Sequence, residues 1–146
     1  MVEDQNFHKV KKIIYVLILF FVFASKSYSQ NFKLEKLVNL DSPWGSSFIN
    51  SNEIIITEKS GKIKIVNILS REVQEISHQL NFVVHGQGGL LDIIHKDNNI
   101  WISYTEDRGG YKTSTSIAKA EFNKKQLNFK NIFQANPPID SGYHFG

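Results

Sequence analysis

The 146-residue sequence has no cysteine, which excludes disulfide bridges and thiolate chemistry without fixing the compartment. It has no apolar run of the roughly 20 residues that a permanent bilayer span requires. It also has no surplus of one charge once its beginning is set apart. The whole chain carries 17 basic and 14 acidic residues, but the first 29 hold Lys9, Lys11, Lys12 and Lys26 against Glu3 and Asp4. The remainder is left with 13 basic and 12 acidic side chains, a balance that gives no electrostatic reason to expect a nucleic-acid partner. Helical periodicity is missing as well. Only REVQEISHQL at 71–80 approaches it, and its place after a β-hairpin favours strand and loop.

The apolar run that does occur, IIYVLILFFVFA at 13–24, follows the basic KVKK at 9–12. Ser27 and Ser29 then stand three and one residues before Gln30. This is the pattern of a secretory signal peptide over residues 1–29, and it implies a periplasmic or secreted protein. Glu3 and Asp4 make its basic region untidy, and a buried core segment or an uncleaved anchor is the alternative.

Residues 30–146 read as strands. EIIITE at 53–58, the turn SG at 60–61 and KIKIVN at 62–67 make a hairpin, with Ile facing in and Lys62 and Lys64 on a solvated face as edge protection. LLDII at 90–94 and NIWISYTE at 99–106 make a second pair across HKDN at 95–98. STSIAKAEF at 114–122 alternates, and NKKQ at 123–126 turns it towards LNFKNIF at 127–133. Two clusters of three or four strands therefore follow one another. Similar openings precede them: PWG at 43–45, QGG at 87–89 and, with nothing after it, YHFG at 143–146. A repeat of about 40–50 residues, one four-stranded sheet each, is the spacing of β-propeller blades. The pattern alone leaves a sandwich or an open meander open. In a propeller, the closing His-Phe-Gly would begin a third inner strand.

Other segments carry weaker signals. GQGG at 86–89 is not a phosphate loop, because no Lys-Ser/Thr follows and LLDII is a strand rather than a helix N-terminus. His95 and Asp97 do not amount to a metal site, and His78 and His85 read as ordinary polar positions. Glu106, Asp107 and Arg108, followed by Gly109 and Gly110, are expected in a solvated connection or on the rim of a cleft. Trp44 is expected in the core or between sheets, while Trp101 and Tyr104 fall on opposite faces of their strand.

The same residues resemble the opening of the glucose/sorbosone dehydrogenase family. The likeness runs from LDSPWGSSFINSNEIIITEKSGKIKIV at 40–66 through GQGGLLDIIH at 86–95, NIWISYTE at 99–106 and TSTSIAKAEF at 113–122 to HFG at 144–146. Each motif alone is modest; their order and spacing carry the resemblance. It implies an all-β chain forming the N-terminal blades of an incomplete six-bladed β-propeller. Residues 30–146 would be its first two blades and the start of the third inner strand, as a fragment or truncated gene. It implies PQQ-dependent oxidation of an aldose sugar at the anomeric carbon to the lactone, with electrons passing to an exogenous acceptor. His144 then corresponds to the general base and Gln87 to the glutamine that hydrogen-bonds at the sugar and cofactor pocket. The cofactor-binding cations, the calcium ligands and the acid that orients the histidine would come from later blades, so the piece alone is expected to be inactive. The alternative is a non-catalytic exported propeller that binds a carbohydrate or a protein.

Overall fold

The computed structural model describes residues 32–145, together with His8, Lys11, Lys12, Ile14 and Tyr15, each of these five in helical conformation. Otherwise the signal-peptide expectation over 1–29 lies outside the described residues. No helix among the described residues is long and apolar enough to cross a membrane. Contacts divide the chain into Met1–Glu35 and Lys36–Gly146, and every strand described belongs to the second unit.

That unit is all-β, and its two sheets resemble propeller blades. β1 (Pro43–Asn50), β2 (Glu53–Glu58), β3 (Ile63–Asn67) and β4 (Val73–His78) form an antiparallel meander. β5 (Leu90–Lys96), β6 (Asn99–Asp107) and β7 (Thr113–Glu121) repeat it. The chain then makes the short β8 (Gln126–Leu127) before β9 (Lys130–Gln134) completes the second meander on β7. LNFKNIF is therefore not one strand. β8 joins the first sheet, parallel to β4, with Ser77 opposite Gln126 and His78 opposite Leu127. The strand orders are β1-β2-β3-β4-β8 and β5-β6-β7-β9.

The side-chain period of two sets which residues meet between the sheets. Ile55 pairs with Ile65 across the first sheet, and Ile102 with Ile93 and Ala118 across the second; all are buried in one common cluster. Fully burying an isoleucine contributes about 1.5–3 kcal/mol, so this shared layer dominates the stability of the pair. Small Ala118 and Ala120 let the second sheet come close. β1 and β5 run side by side. There Thr57 Oγ1 donates to the Leu91 carbonyl at 2.6 Å and accepts from the Gly45 amide at 2.9 Å. A Cβ on Gly45 would lie 2.6 Å from the Asp92 Cα, so no side chain fits at that crossing.

Two sequence expectations change here. Trp44 is 54% exposed rather than packed inside, because the bare backbone of Gly45, not the ring beside it, makes the close contact with β5. Lys64 is not on an edge. β3 lies third of five strands, and the Lys64 ammonium reaches the fully buried Glu58 carboxylate at 2.7 Å. Lys62 alone keeps an exposed pairing, with Glu75 at 3.8 Å. Trp101 and Tyr104 do diverge: Tyr104 is buried and its hydroxyl donates to Asn131 Oδ1 at 2.6 Å, while Lys119 Nζ lies 4.7 Å above the Trp101 ring.

Two carboxylates give the unit a defined acid response. Burial alone would raise the Glu58 carboxyl, but the Lys64 hydrogen bond, the Asp41 amide and the nearby lysine charges bring it below its ordinary 4.5. Hydrogen bonds from Lys124 and Asn50 lower Glu53 in the same way. A depressed folded value means stability that is complete above the unfolded value and lost as pH falls through the folded one. The urea midpoint is therefore expected to hold near neutrality and to drop between about pH 5 and pH 2. The drop should shrink in a Glu58→Gln/Glu53→Gln double variant; an identical acid limb in that variant would remove both carboxylates from the explanation.

Candidate functional site

The 85–89 loop enters β5 from the end of the sheet at which β6 passes into its loop. A tight turn shapes it, with the Gly88 amide donating to the His85 carbonyl at 2.8 Å. Thr105 on β6 fixes its exit: its amide donates to the Gly89 carbonyl at 2.9 Å and its hydroxyl accepts from the Gly89 amide at 3.2 Å. Lys59, from the turn after β2, donates its ammonium to the Gly86 carbonyl. The first sheet thus holds the loop that opens the second.

The strip 139–145 closes on this loop from the other side. Ile139 exchanges two backbone hydrogen bonds with Thr113, at 2.8 and 2.9 Å. Thr113 Oγ1 lies 3.3 Å from the Ser141 carbonyl, and Thr115 Oγ1 donates to the Phe145 carbonyl at 3.2 Å. The Thr113 and Thr115 hydroxyls are therefore anchors for the strip, a role that alternation alone does not reveal.

The two segments touch at Gly86 and Gly142. The Gln87 amide donates to the Gly142 carbonyl at 2.7 Å. Gly86 has φ +56, and a Cβ there would stand 2.2 Å from the same carbonyl oxygen. Only glycine satisfies both the backbone angle and the contact. Next to it, the His144 amide donates to Gln87 Oε1 at a long 3.4 Å. The two residues singled out from the sequence are thus adjacent, though they are far apart in the chain.

Both side chains belong to exposed residues. His144 has φ +69, a left-handed conformation that is uncommon for a residue with a Cβ. Buried Phe145 beyond it and the Ser141–Thr113 contact before it hold the backbone there. The contact joins the His144 backbone to the Gln87 carboxamide, so an imidazole-bearing residue, able to accept a proton, and an uncharged hydrogen-bonding group for a hydroxyl meet at one point of the fold.

His78, His95 and Glu106 fall elsewhere. His78 is structural: its Nε2 donates to the Gly61 carbonyl at 2.7 Å, and its Nδ1 accepts from the Leu80 amide at 3.3 Å. His95 packs against the Phe122 ring at 5.1 Å. Glu106 is not in the solvated connection expected of it. It is 7% exposed at the end of β6, and it accepts from Ser116 Oγ at 2.6 Å, Asn131 Nδ2 at 3.0 Å and Gln134 Nε2 at 2.7 Å. Among the described residues, no group of three or more His, Cys, Asp or Glu could hold a metal ion.

Comparison with known proteins follows the same boundaries. The family model described as Glucose / Sorbosone dehydrogenase matches residues 40–146. Aldose sugar dehydrogenase YliI of Escherichia coli is 28% identical over 116 residues, covering 73% of this chain and 31% of that protein. A solved glucose dehydrogenase superposes with a TM-score of 0.69 at 26% identity, over 73% of this chain and 36% of the other. The PQQ-bound aldose sugar dehydrogenase of Streptomyces coelicolor, 19% identical with a TM-score of 0.59 over 68% of this chain and 32% of its own, shares the fold. The chain spans about a third of the length of these relatives. It belongs to the glucose/sorbosone dehydrogenase family.

Proposed function

We propose that this chain provides the opening part of a PQQ-dependent dehydrogenase that oxidises an aldose at its anomeric carbon to the lactone. On this reading residues 1–29 are a leader to the periplasm or the exterior. Residues 30–146 are the first two blades and the start of the third inner strand of a six-bladed ring. The observation that carries the reading is the approach of His144 to Gln87, from two segments that the sheet hydrogen bonds hold in place.

The residues divide the work as follows. Gln87 holds a sugar hydroxyl through its carboxamide, without adding charge. The His144 imidazole takes the proton from the anomeric hydroxyl as the C1–H bond gives up a hydride and the C1–O bond becomes a carbonyl. PQQ, when bound, supplies the two-electron acceptor for that hydride and passes the electrons to an exogenous acceptor. The Gln87 carboxamide and the His144 imidazole would hold the oxygen edge of such a quinone, on a loop that the Lys59 ammonium ties at the Gly86 carbonyl. Its carboxylates would need further cations. The described residues give no calcium site, so no calcium ligand is assigned among them.

A chimaera in which residues 40–146 replace the matching part of the E. coli aldose sugar dehydrogenase tests this. Loaded with PQQ and calcium, it is expected to reduce an artificial acceptor when given an aldose, whereas the 146-residue chain alone is expected to give no turnover. A folded, PQQ-binding chimaera without aldose-dependent reduction would favour a non-catalytic binding propeller instead.

A further inference from the structure

The placement of Gln87 depends on the orientation of one peptide group. The Gly88 amide closes the turn at 85–88 on the His85 carbonyl, so the Gly86–Gln87 peptide is the centre of that turn. Both sides of this peptide are held, by different parts of the chain. Its N–H donates to the Gly142 carbonyl at 2.7 Å. Its carbonyl accepts the ammonium of Lys59, from the turn after β2. Gly86, at φ +56, has no side chain to favour one orientation of the peptide, so these two hydrogen bonds set it.

We propose that Lys59 is a positioning residue for Gln87: by fixing the Gly86–Gln87 peptide from the first sheet, it sets the carboxamide against residue 144 and against a substrate hydroxyl. The substrate part of this inference rests on the reading under Proposed function. Lys59 stands on a fixed base. Its own amide donates to the Ser42 carbonyl at 3.0 Å, and the turn beyond it is closed by the Gly61 amide on the Glu58 carbonyl at 2.9 Å. His78 Nε2 donates to the Gly61 carbonyl at 2.7 Å, and the Phe82 ring fills the space that a Gly61 side chain would need. The far end of the loop meets the same lysine. Gly89, at φ +149, lacks the Cβ that would run into the Lys59 carbonyl and stand 3.0 Å from its Cγ. Lys59 thus braces the loop at Gly89 with its backbone and at Gly86 with its ammonium, and Gln87 lies between them.

The charge of the donor matters here. A hydrogen bond from an ammonium is roughly twice as strong as one between neutral groups, and Lys59 is half-buried, which limits competition from water. Its ammonium is engaged with backbone rather than with the Gln87 or His144 side chain, so it acts through the loop and not on the substrate. Arginine at this position would still supply N–H donors. Methionine would keep the stem beside Gly89 and lose the donor.

The test separates the brace from the chemistry. Amide hydrogen exchange of the 146-residue chain is followed by NMR, without PQQ or sugar. Lys59→Met is expected to speed exchange of the Gln87 amide roughly tenfold or more and to shift the His144 amide resonance. The Thr105 amide, which holds Gly89, and the urea midpoint should change little. Lys59→Arg should restore the protection, and Lys62→Met, which removes a neighbouring exposed lysine, should leave it as in the parent. Unaltered exchange at Gln87 in Lys59→Met, or protection lost equally across both sheets, would overturn the proposal. In the PQQ-loaded chimaera, Lys59→Met should raise KM for the aldose about tenfold and leave the pH profile of kcat in place, because the His144 imidazole is untouched. An active chimaera whose KM ignores Lys59 would also overturn it. A parent chimaera without turnover sinks the oxidation reading alone, and the exchange result then decides the brace.

Discussion

His144→Ala in the chimaera is expected to lower kcat by roughly 10²–10⁴-fold, the contribution a positioned general base usually makes. The amide of residue 144 remains in the variant, so its hydrogen bond to Gln87 Oε1 and the fold around it survive. Melting temperature and PQQ affinity should therefore change little while turnover collapses. Added imidazole should restore part of the rate, which a purely structural role would not allow. Gln87→Ala is expected to cost less, about tenfold, because water replaces a positioning amide more easily than a base. A His144→Ala variant with kcat near the parent value would remove the imidazole from the reaction.

Glu106→Ala should have a large effect on stability, about 1–3 kcal/mol, with a matching fall in Tm. The Glu106 carboxylate is the common acceptor for Ser116, Asn131 and Gln134, three neutral donors on β7 and β9. Asn131 in turn accepts the Tyr104 hydroxyl. Removing the acceptor strands the buried Ser116 hydroxyl, which costs more than its hydrogen bond contributed, while Asn131 and Gln134, exposed residues of β9, can turn to water. Glu106→Gln should lose only about half as much. One oxygen still accepts from Asn131 and Gln134, and its new amide donates to Ser116 if that hydroxyl rotates. Urea unfolding of the three proteins checks the order; a Glu106→Ala midpoint equal to the parent would show the network contributes nothing.

The strands were legible because their burial is one-sided. Ile63 and Ile65 alternate with lysines, Ile100 and Ile102 with Trp101, and Ala118 and Ala120 with Lys119, so the period of two is written in the residues. The candidate pair was legible only through the family's motif order, since the chain itself says nothing about Gly86 meeting Gly142. What escaped was polar pairing over long separations. Glu106 looks like a loop acid because Asp107, Arg108 and two glycines follow it, and two of its three partners, Asn131 and Gln134, lie more than twenty residues away on a strand rich in polar side chains. Lys64 reads as solvent-facing until β2 brings Glu58 beside it. No period distinguishes Gln126 and Leu127 from the strand that follows, because their partner belongs to the other sheet.

That last pairing bears on how the chain is made. β4 is the outer strand of the first meander, and its flank stays bare until Gln126 and Leu127 arrive. Gln79 waits for the Phe129 backbone and Glu53 for the Lys124 ammonium. During synthesis the earlier sheet therefore carries an unprotected edge for some fifty residues of further translation, a window in which a nascent neighbour offers the same hydrogen bonds. Once the strap is down, neither sheet can peel away without breaking the other, and the two should melt in a single transition.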